Sequence, residues 1–349
     1  EPAGFSPNKP QETDDPSIAA ICNSLLRPRG SAPTPVVVMP DKIVHRTGRV
    51  IPGQFAGRMG RKSEPWFLDI SPYHPQHYGA YPKYLFHHAK GVKEDTGLAF
   101  RAPHLSLPTG LNLRRVADRM ALRRDLENQS RALETGAGDE AFDRYQEAAV
   151  DLLSNGDAHS AFDLSRANPK QIERYGDHSF GWSLLMARNL VASGVNLIQV
   201  NLGNNETWDT HQAAFPNLKN FLLPPLDQSL SALLEDLDAS GLLAETMVVV
   251  ASEFGRTPKI FRLPSAKLPG RDHWGAVQSV LFAGGGVKGG TVIGSSDKIG
   301  AYPAEDPQKP ENFAATIYDA LGIPRDAQWH DHAKNPFPVY HGNPIKGLT

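Results

Sequence analysis

Apolar residues in this chain fall into short runs whose spacing changes from one part to the next. "IAAICNSLL" follows Asp15-Pro16-Ser17 with apolar residues at helical spacing, a hydroxyl at the cap and Pro near the first turn, which predicts a short helix. "TPVVVMP" is a continuous β-branched run fenced by prolines and predicts a buried strand. From Asp41 to Pro108 the chain is rich in Gly, Pro, His and Tyr without sustained periodicity, and it reads as an irregular excursion packed by aromatics. Apolar residues three and four apart from Leu111 to about Leu133 predict an amphipathic helix, and "DEAFDRYQEAAVDLLSN" and "HSAFDLSRA" continue the helical pattern. Their alternating charges fit a solvated face.

After "ERYGDHSFG" the pattern alternates. "WSLLMARNLVAS" predicts a helix closed by Gly194, "VNLIQVNLG" a strand, and "FPNLKNFLLPPLDQSLSALLEDLDASG" a long helix. "TMVVVAS" and "VQSVLFAGGG" are further strands. Helices and apolar strands in alternation predict an α/β fold with a mostly parallel central sheet covered by helices. "AGGGVKGG" has neither the spacing nor the strand-to-helix context of a phosphate loop and reads as a turn whose glycines supply positive φ.

Composition narrows the classes of function. Thirty-six basic and 38 acidic side chains leave a formal charge of -2, so no global field draws the molecule to nucleic acid or to an anionic membrane. The longest apolar runs fall well short of the roughly 20 residues of a membrane-spanning helix. The single cysteine, Cys22, excludes an intramolecular disulfide framework and a cysteine-cluster metal site. The chain opens at Glu1 in a Pro-rich polar stretch with neither signal-peptide nor strand character, which reads as the interior of a longer protein.

Three polar clusters lie at or near predicted strand ends, where ligands gather in open α/β sheets. They are Asp209 and His211 in "ETWDTH", Glu253 and Arg256 in "SEFGRTP", and Asp272 and His273 in "GRDHW". Asp209 and His211 stand two apart, so in an extended segment their side chains leave one face. Carboxylate and neutral imidazole are ordinary ligands of zinc, manganese and iron and a poor set for copper(I). Each residue also has a structural reading. Asp209 can cap a helix in "THQAAF", Glu253 and Arg256 can be a structural ion pair, His273 can be a satisfied buried histidine, and Asp272 a turn-former. No G-x-S-x-G elbow surrounds Ser252, and no H-E-x-x-H helix is present.

These segments carry a family resemblance. "GLLAETMVVVASEFGRTPKI", "ETWDTH", "GRDHW", "SVLFAGGGVKGGTVIGSSDKIGAYP" and "FAATIYDALGI" together closely resemble the bacterial domain of unknown function 1501 family, from about Asp15 to the C-terminus. That family is similar to a divergent branch of the alkaline phosphatase and sulfatase superfamily. The resemblance implies a three-layer α/β/α sandwich, one alkaline phosphatase-like domain over residues 1–349 with a helical insertion at 109–175. It also implies export to the periplasm or beyond, and hydrolysis of sulfate or phosphate esters, small or glycan-borne, at a divalent metal: zinc, manganese or calcium.

In that superfamily a strand ends in an acid followed by a second ligand, so Glu253 matches the acid while Phe254 cannot coordinate. Asp209 and His211 resemble the Asp/His ligand pair at a narrower spacing, and His273 resembles the late histidine ligand. The implied set is Asp209, His211, Glu253 and His273 on the metal, with Arg256 on the anion and Asp272 orienting His273. Relatives carry the first metal-binding Asp and the nucleophile in an upstream segment, so the chain is expected to be N-terminally incomplete. Two other functions fit the same residues. One is a non-catalytic binding module for polysaccharide or a surface partner, with the aromatic stretch Pro65 to Phe86 as a sugar-stacking surface. The other is a phosphomutase-like enzyme.

Overall fold

The computed structural model describes residues 9–71, 78–88, 167–203 and 206–349, with positions 74, 91–92, 98, 100, 115, 118–119, 121–122 and 161–164. Most of the helical lobe expected at 109–175 lies outside the described residues.

The first helix, α1 (Ile18–Leu25), starts where the sequence places it: Ser17 Oγ accepts the Ala20 N–H at 3.1 Å and satisfies one of the open first-turn donors. The next element, β1 (Val36–Met39), is buried along its whole length. It is the middle strand of a parallel three-stranded sheet in the order β2 (Trp66–Phe67), β1, β6 (Leu197–Val200). Side chains of a strand alternate between faces, and β1 sorts accordingly. Val37 and Met39 pack with Leu68, Ile70, Met186 and Leu190, while Val36 and Val38 pack with Ala19, Cys22, Tyr318 and Trp329. The Cys22 thiol is buried there, and burial pushes it up to about 12.

Between β2 and β6 the described residues include an antiparallel meander, β3 (Tyr78–Ala80), β4 (Tyr84–His87) and β5 (Gly91–Val92), and the helices α2 (Pro169–Tyr175) and α3 (Ser179–Ser193). Meander strands therefore stand inside the stretch read as irregular. In α3 the cap is His178, whose Nδ1 accepts the Gly181 N–H at 3.1 Å. Burial pushes this histidine down to about 4, so the ring is the neutral acceptor that the cap requires. At the other end Gly194 adopts φ 102°, the conformation that closes a helix and favours glycine.

The long helix after β6 is a composite. A short turn, α4 (Ala214–Asn217), passes through a π-helical turn at Leu218–Leu222 into α5 (Leu223–Ala239). The helix α5 packs on α2 and α3 around Tyr175, Leu184, Leu185, Leu233 and Leu237.

Here the structure departs from the mostly parallel central sheet. The strand β7 (Val248–Val250) pairs antiparallel with β10 (Leu281–Ala283) in a separate two-stranded ribbon. Between them, β8 (Gly255–Arg256) pairs antiparallel with β9 (His273–Trp274). The physical reason is that an apolar run reports burial, while strand direction is set by connections that carry no periodic signal. Among the described residues the fold is thus mixed α/β, with helices and a small parallel sheet of three strands. Two ribbons close the chain, β11 (Ser295–Ser296) with β12 (Pro303–Glu305) and β13 (Gln328–His330) with β14 (Pro336–Pro338), with α6 (Pro310–Ala320) between them. Gly284, Gly285 and Gly286 have φ of 67°, 56° and 83°, which bears out the reading of the glycine run as a turn.

Candidate metal centre

Two distant segments meet to build the site. The loop after β6 carries Asp209 and His211, and the β8–β9 pair carries Arg256 and His273 as direct cross-strand partners. Contacts between residues 268–271 and 210–214 clamp the segments together. Leu268 O accepts the Ala213 N–H at 3.3 Å, Pro269 O accepts the Ala214 N–H at 3.2 Å, and Thr210 O accepts the Arg271 N–H at 3.3 Å. The approach is so close at Gly270 that a Cβ there would lie 2.1 Å from the His211 carbonyl carbon and oxygen. Only glycine fits.

Three cationic or donor groups converge on one oxygen, Asp209 Oδ1. Arg256 Nη2 lies 2.8 Å from it, and His211 Nε2 and His273 Nε2 each lie 3.0 Å away. The two Nε2 atoms are 3.1 Å apart. Burial alone raises the Asp209 carboxyl, but hydrogen bonds from His273 and Arg256, and the neighbouring His211, outweigh it and hold the group below its usual range.

Among the described residues, Asp209, His211 and His273 form a group able to hold a metal ion. Their nearly equilateral triangle of ligand atoms fits that role. Zinc–ligand bonds near 2.0–2.1 Å in a tetrahedron imply ligand separations of about 3.3 Å, against the 3.0, 3.0 and 3.1 Å edges here. Imidazole and carboxylate suit zinc or manganese, and three protein ligands leave a position for water or substrate. The side chain of His273 is 48% exposed, so the site is open to solvent.

The surrounding groups set these ligands in place. Asp272 Oδ1 accepts the backbone N–H of His273 at 2.8 Å and lies 3.4 Å from His211 Nδ1. It therefore faces the ring of His211, and it touches His273 through the backbone. Phe254, which cannot coordinate, lays its ring 4.4 Å from that of His273. Arg256 also donates to Trp208 O at 3.1 Å and to Arg271 O at 3.4 Å, so most of its fork is spent on fixing the loop.

Glu253 is not brought into the group. It stands exposed beyond the end of β7 and forms no ion pair among the described residues. The acid that pairs with Arg256 is Asp209, 47 residues away in sequence. Sequence reasoning had no signal for that choice, because the Glu253–Arg256 spacing is local and the observed pairing is not.

No described helix is long and apolar enough to cross a membrane. No curated protein and no solved structure matches the chain. Residues 8–349 match the family described as protein of unknown function (DUF1501), and the chain belongs to that family.

Proposed function

We propose that this protein is a metal-dependent hydrolase of sulfate or phosphate esters, exported from the cell and built on an alkaline phosphatase-like fold. The observation that carries the reading is the convergence of Asp209, His211 and His273 into a solvent-open triangle of ligand atoms within 4.8 Å of one another. A bound divalent ion would act as a Lewis acid on an ester oxygen. The protein's own part is positional. Asp209 is held ionised by the Arg256 hydrogen bond, which remains when His273 Nε2 turns its lone pair to an ion, so the carboxylate is ready as a ligand. Asp272 faces the ring of His211 from the side away from Asp209 and favours the tautomer with its lone pair on Nε2. Among the described residues the Arg256 Nε–H and one Nη1–H have no acceptor, which supports a role on the oxygens of a tetrahedral anion.

The test is elemental analysis of purified protein beside the His211→Ala and His273→Ala variants. Zinc or manganese near one per chain, lost in both variants and accompanied by turnover of nitrophenyl sulfate or nitrophenyl phosphate, is the expected outcome. Protein free of metal after dialysis against zinc and manganese sinks the reading.

A further inference from the structure

A basic arm stands beside the candidate metal centre. Beyond the pairing of β8 with β9 the two chains run on together, and the Phe261 N–H donates to Gly270 O at 3.1 Å while the Gly270 N–H donates to Phe261 O at 2.9 Å. Residues 257–271 thus form a hairpin arm rooted in the centre. Arg256 and His273 stand at its base, the Phe261 ring lies 6.4 Å from the ring of His211, and Leu268 O accepts the Ala213 N–H.

The arm carries charge of one sign. From Arg256 to Arg271 the sequence holds Arg256, Lys259, Arg262, Lys267 and Arg271 and no acid, in a chain whose 36 basic and 38 acidic residues balance. Acids resume at Glu253 before it and at Asp272 after it, and Asp272 lies 3.4 Å from His211 Nδ1. Two of the five cations are spent inside the structure, Arg256 on Asp209 and Arg271 on the carbonyls of Thr257 and Arg256. Lys259, Arg262 and Lys267 are exposed, and none forms an ion pair among the described residues. Arg262 uses only its Nε–H, on Ala266 O at 2.8 Å. Elsewhere surface cations face acids, as Arg46 faces Glu206, Lys83 faces Asp177 and Arg325 faces Asp319. Like charges on one short arm repel, and an anion relieves that repulsion.

The placement of these charges selects the ligand. Lys259 follows Arg256 by three residues, Arg262 adjoins Phe261, and Lys267 adjoins Leu268, so the row of charge begins at the centre and runs along both limbs of the arm. A chain bearing repeated oxyanions matches such a row, with one group at the metal and others on the arm. A bilayer is disfavoured, because residues 257–271 contain no Trp or Tyr to anchor at an interface. A nucleic acid strand is disfavoured because the one aromatic ring, Phe261, is set edge-on against His211 and offers no free face to a base. We propose that the arm is a docking surface for a polyanionic chain of repeated sulfate or phosphate groups, held by Lys259, Arg262 and Lys267. That such a chain is also the substrate of the centre rests on the hydrolase reading; the docking surface does not.

The test is fluorescence anisotropy on the full chain with labelled dextran sulfate and labelled polyphosphate, beside uncharged dextran. Wild type is expected to bind at least one polyanion and no dextran, with affinity falling as salt rises, and the tighter of the two polymers tells sulfate from phosphate. The variant Lys259→Ala/Arg262→Ala/Lys267→Ala is expected to bind about tenfold or more weakly, the scale of three exposed charge contacts. Lys259→Ala/Lys267→Ala removes no side-chain hydrogen bond among the described residues and carries the test if the triple variant does not fold. Failure of wild type to bind either polyanion, equal binding by wild type and the double variant, or binding of phosphatidylglycerol vesicles in place of both polymers overturns the proposal. These readings need no turnover, so a failed hydrolase reading shows separately, as polyanion binding by protein that holds no metal and turns over no nitrophenyl ester.

Discussion

The two strands β1 and β7 are both written as runs of valine, and the molecule treats them differently. Every residue of β1 is buried, with α1 and α6 on one face and α3 on the other. All three residues of β7 are half-buried, and its partner β10 begins with Leu281 at 47% exposure. Identical local chemistry therefore produces a core in one place and a ribbon in the other, and the difference lies in what covers each strand. The candidate metal centre draws one half from each setting. Asp209 and His211 follow β6 of the covered sheet, and Arg256 and His273 stand between the strands of the ribbon.

The contrast can be broken most forcefully at Met39. Met39→Ala empties a fully buried position and is expected to cost about 2–5 kcal/mol in urea unfolding. A loss below about 1 kcal/mol would mean that the first sheet is no better packed than the second.

Next comes pH. The folded pKa of His178 is depressed from 6.5 to about 4, so the unfolded chain binds the extra proton first as pH falls. Stability from this group is whole above about pH 6.5 and is lost toward pH 4, by up to about 3 kcal/mol at 1.36 kcal/mol per unit. His178→Asn keeps a capping acceptor and should flatten that slope. An unchanged slope would remove His178 as its cause.

Gly270→Ala is expected to separate His211 from His273 at a cost of about 1–3 kcal/mol by overpacking. Metal binding should fall much further than stability, and retention of metal would show that the clamp is dispensable. The smallest effect is expected from Val249→Ala in the ribbon, about 1 kcal/mol or less, because little apolar area leaves water there. A cost equal to that of Met39→Ala would erase the distinction between the two regions.

What could be read from the sequence was local. Ser17 as a cap, the Val36–Met39 strand, Gly194 as a helix stop and the glycine turn after β10 each depend on neighbours a few residues away. Asp209, His211 and His273 were legible as three of the four ligands expected, because acids and histidines beside strand ends are chemically distinctive, while Glu253, the fourth, stays outside the group. The antiparallel turn of β7 against β10 was not, since pairing direction leaves no mark on a three-residue run. Nor were β8 and β9, which are two residues each and exist through pairing with one another. The exchange of partners at Arg256, from Glu253 to Asp209, is a fact of tertiary placement.

The clamp at Gly270 has a kinetic meaning. The hydrogen-bonded histidines His211 and His273 are 62 residues apart, so bringing them together closes a long loop through α5 and β7. For a flexible chain the length-dependent part of that closure is about 3–4 kcal/mol, set against only a few new contacts. Such a contact is expected to form after the local helices, and an ion shared by Asp209, His211 and His273 would act as a staple across the closed loop. Refolding with and without zinc would then differ in its slowest phase, and the arrival of the metal would time the moment at which the second half of the chain settles on the first.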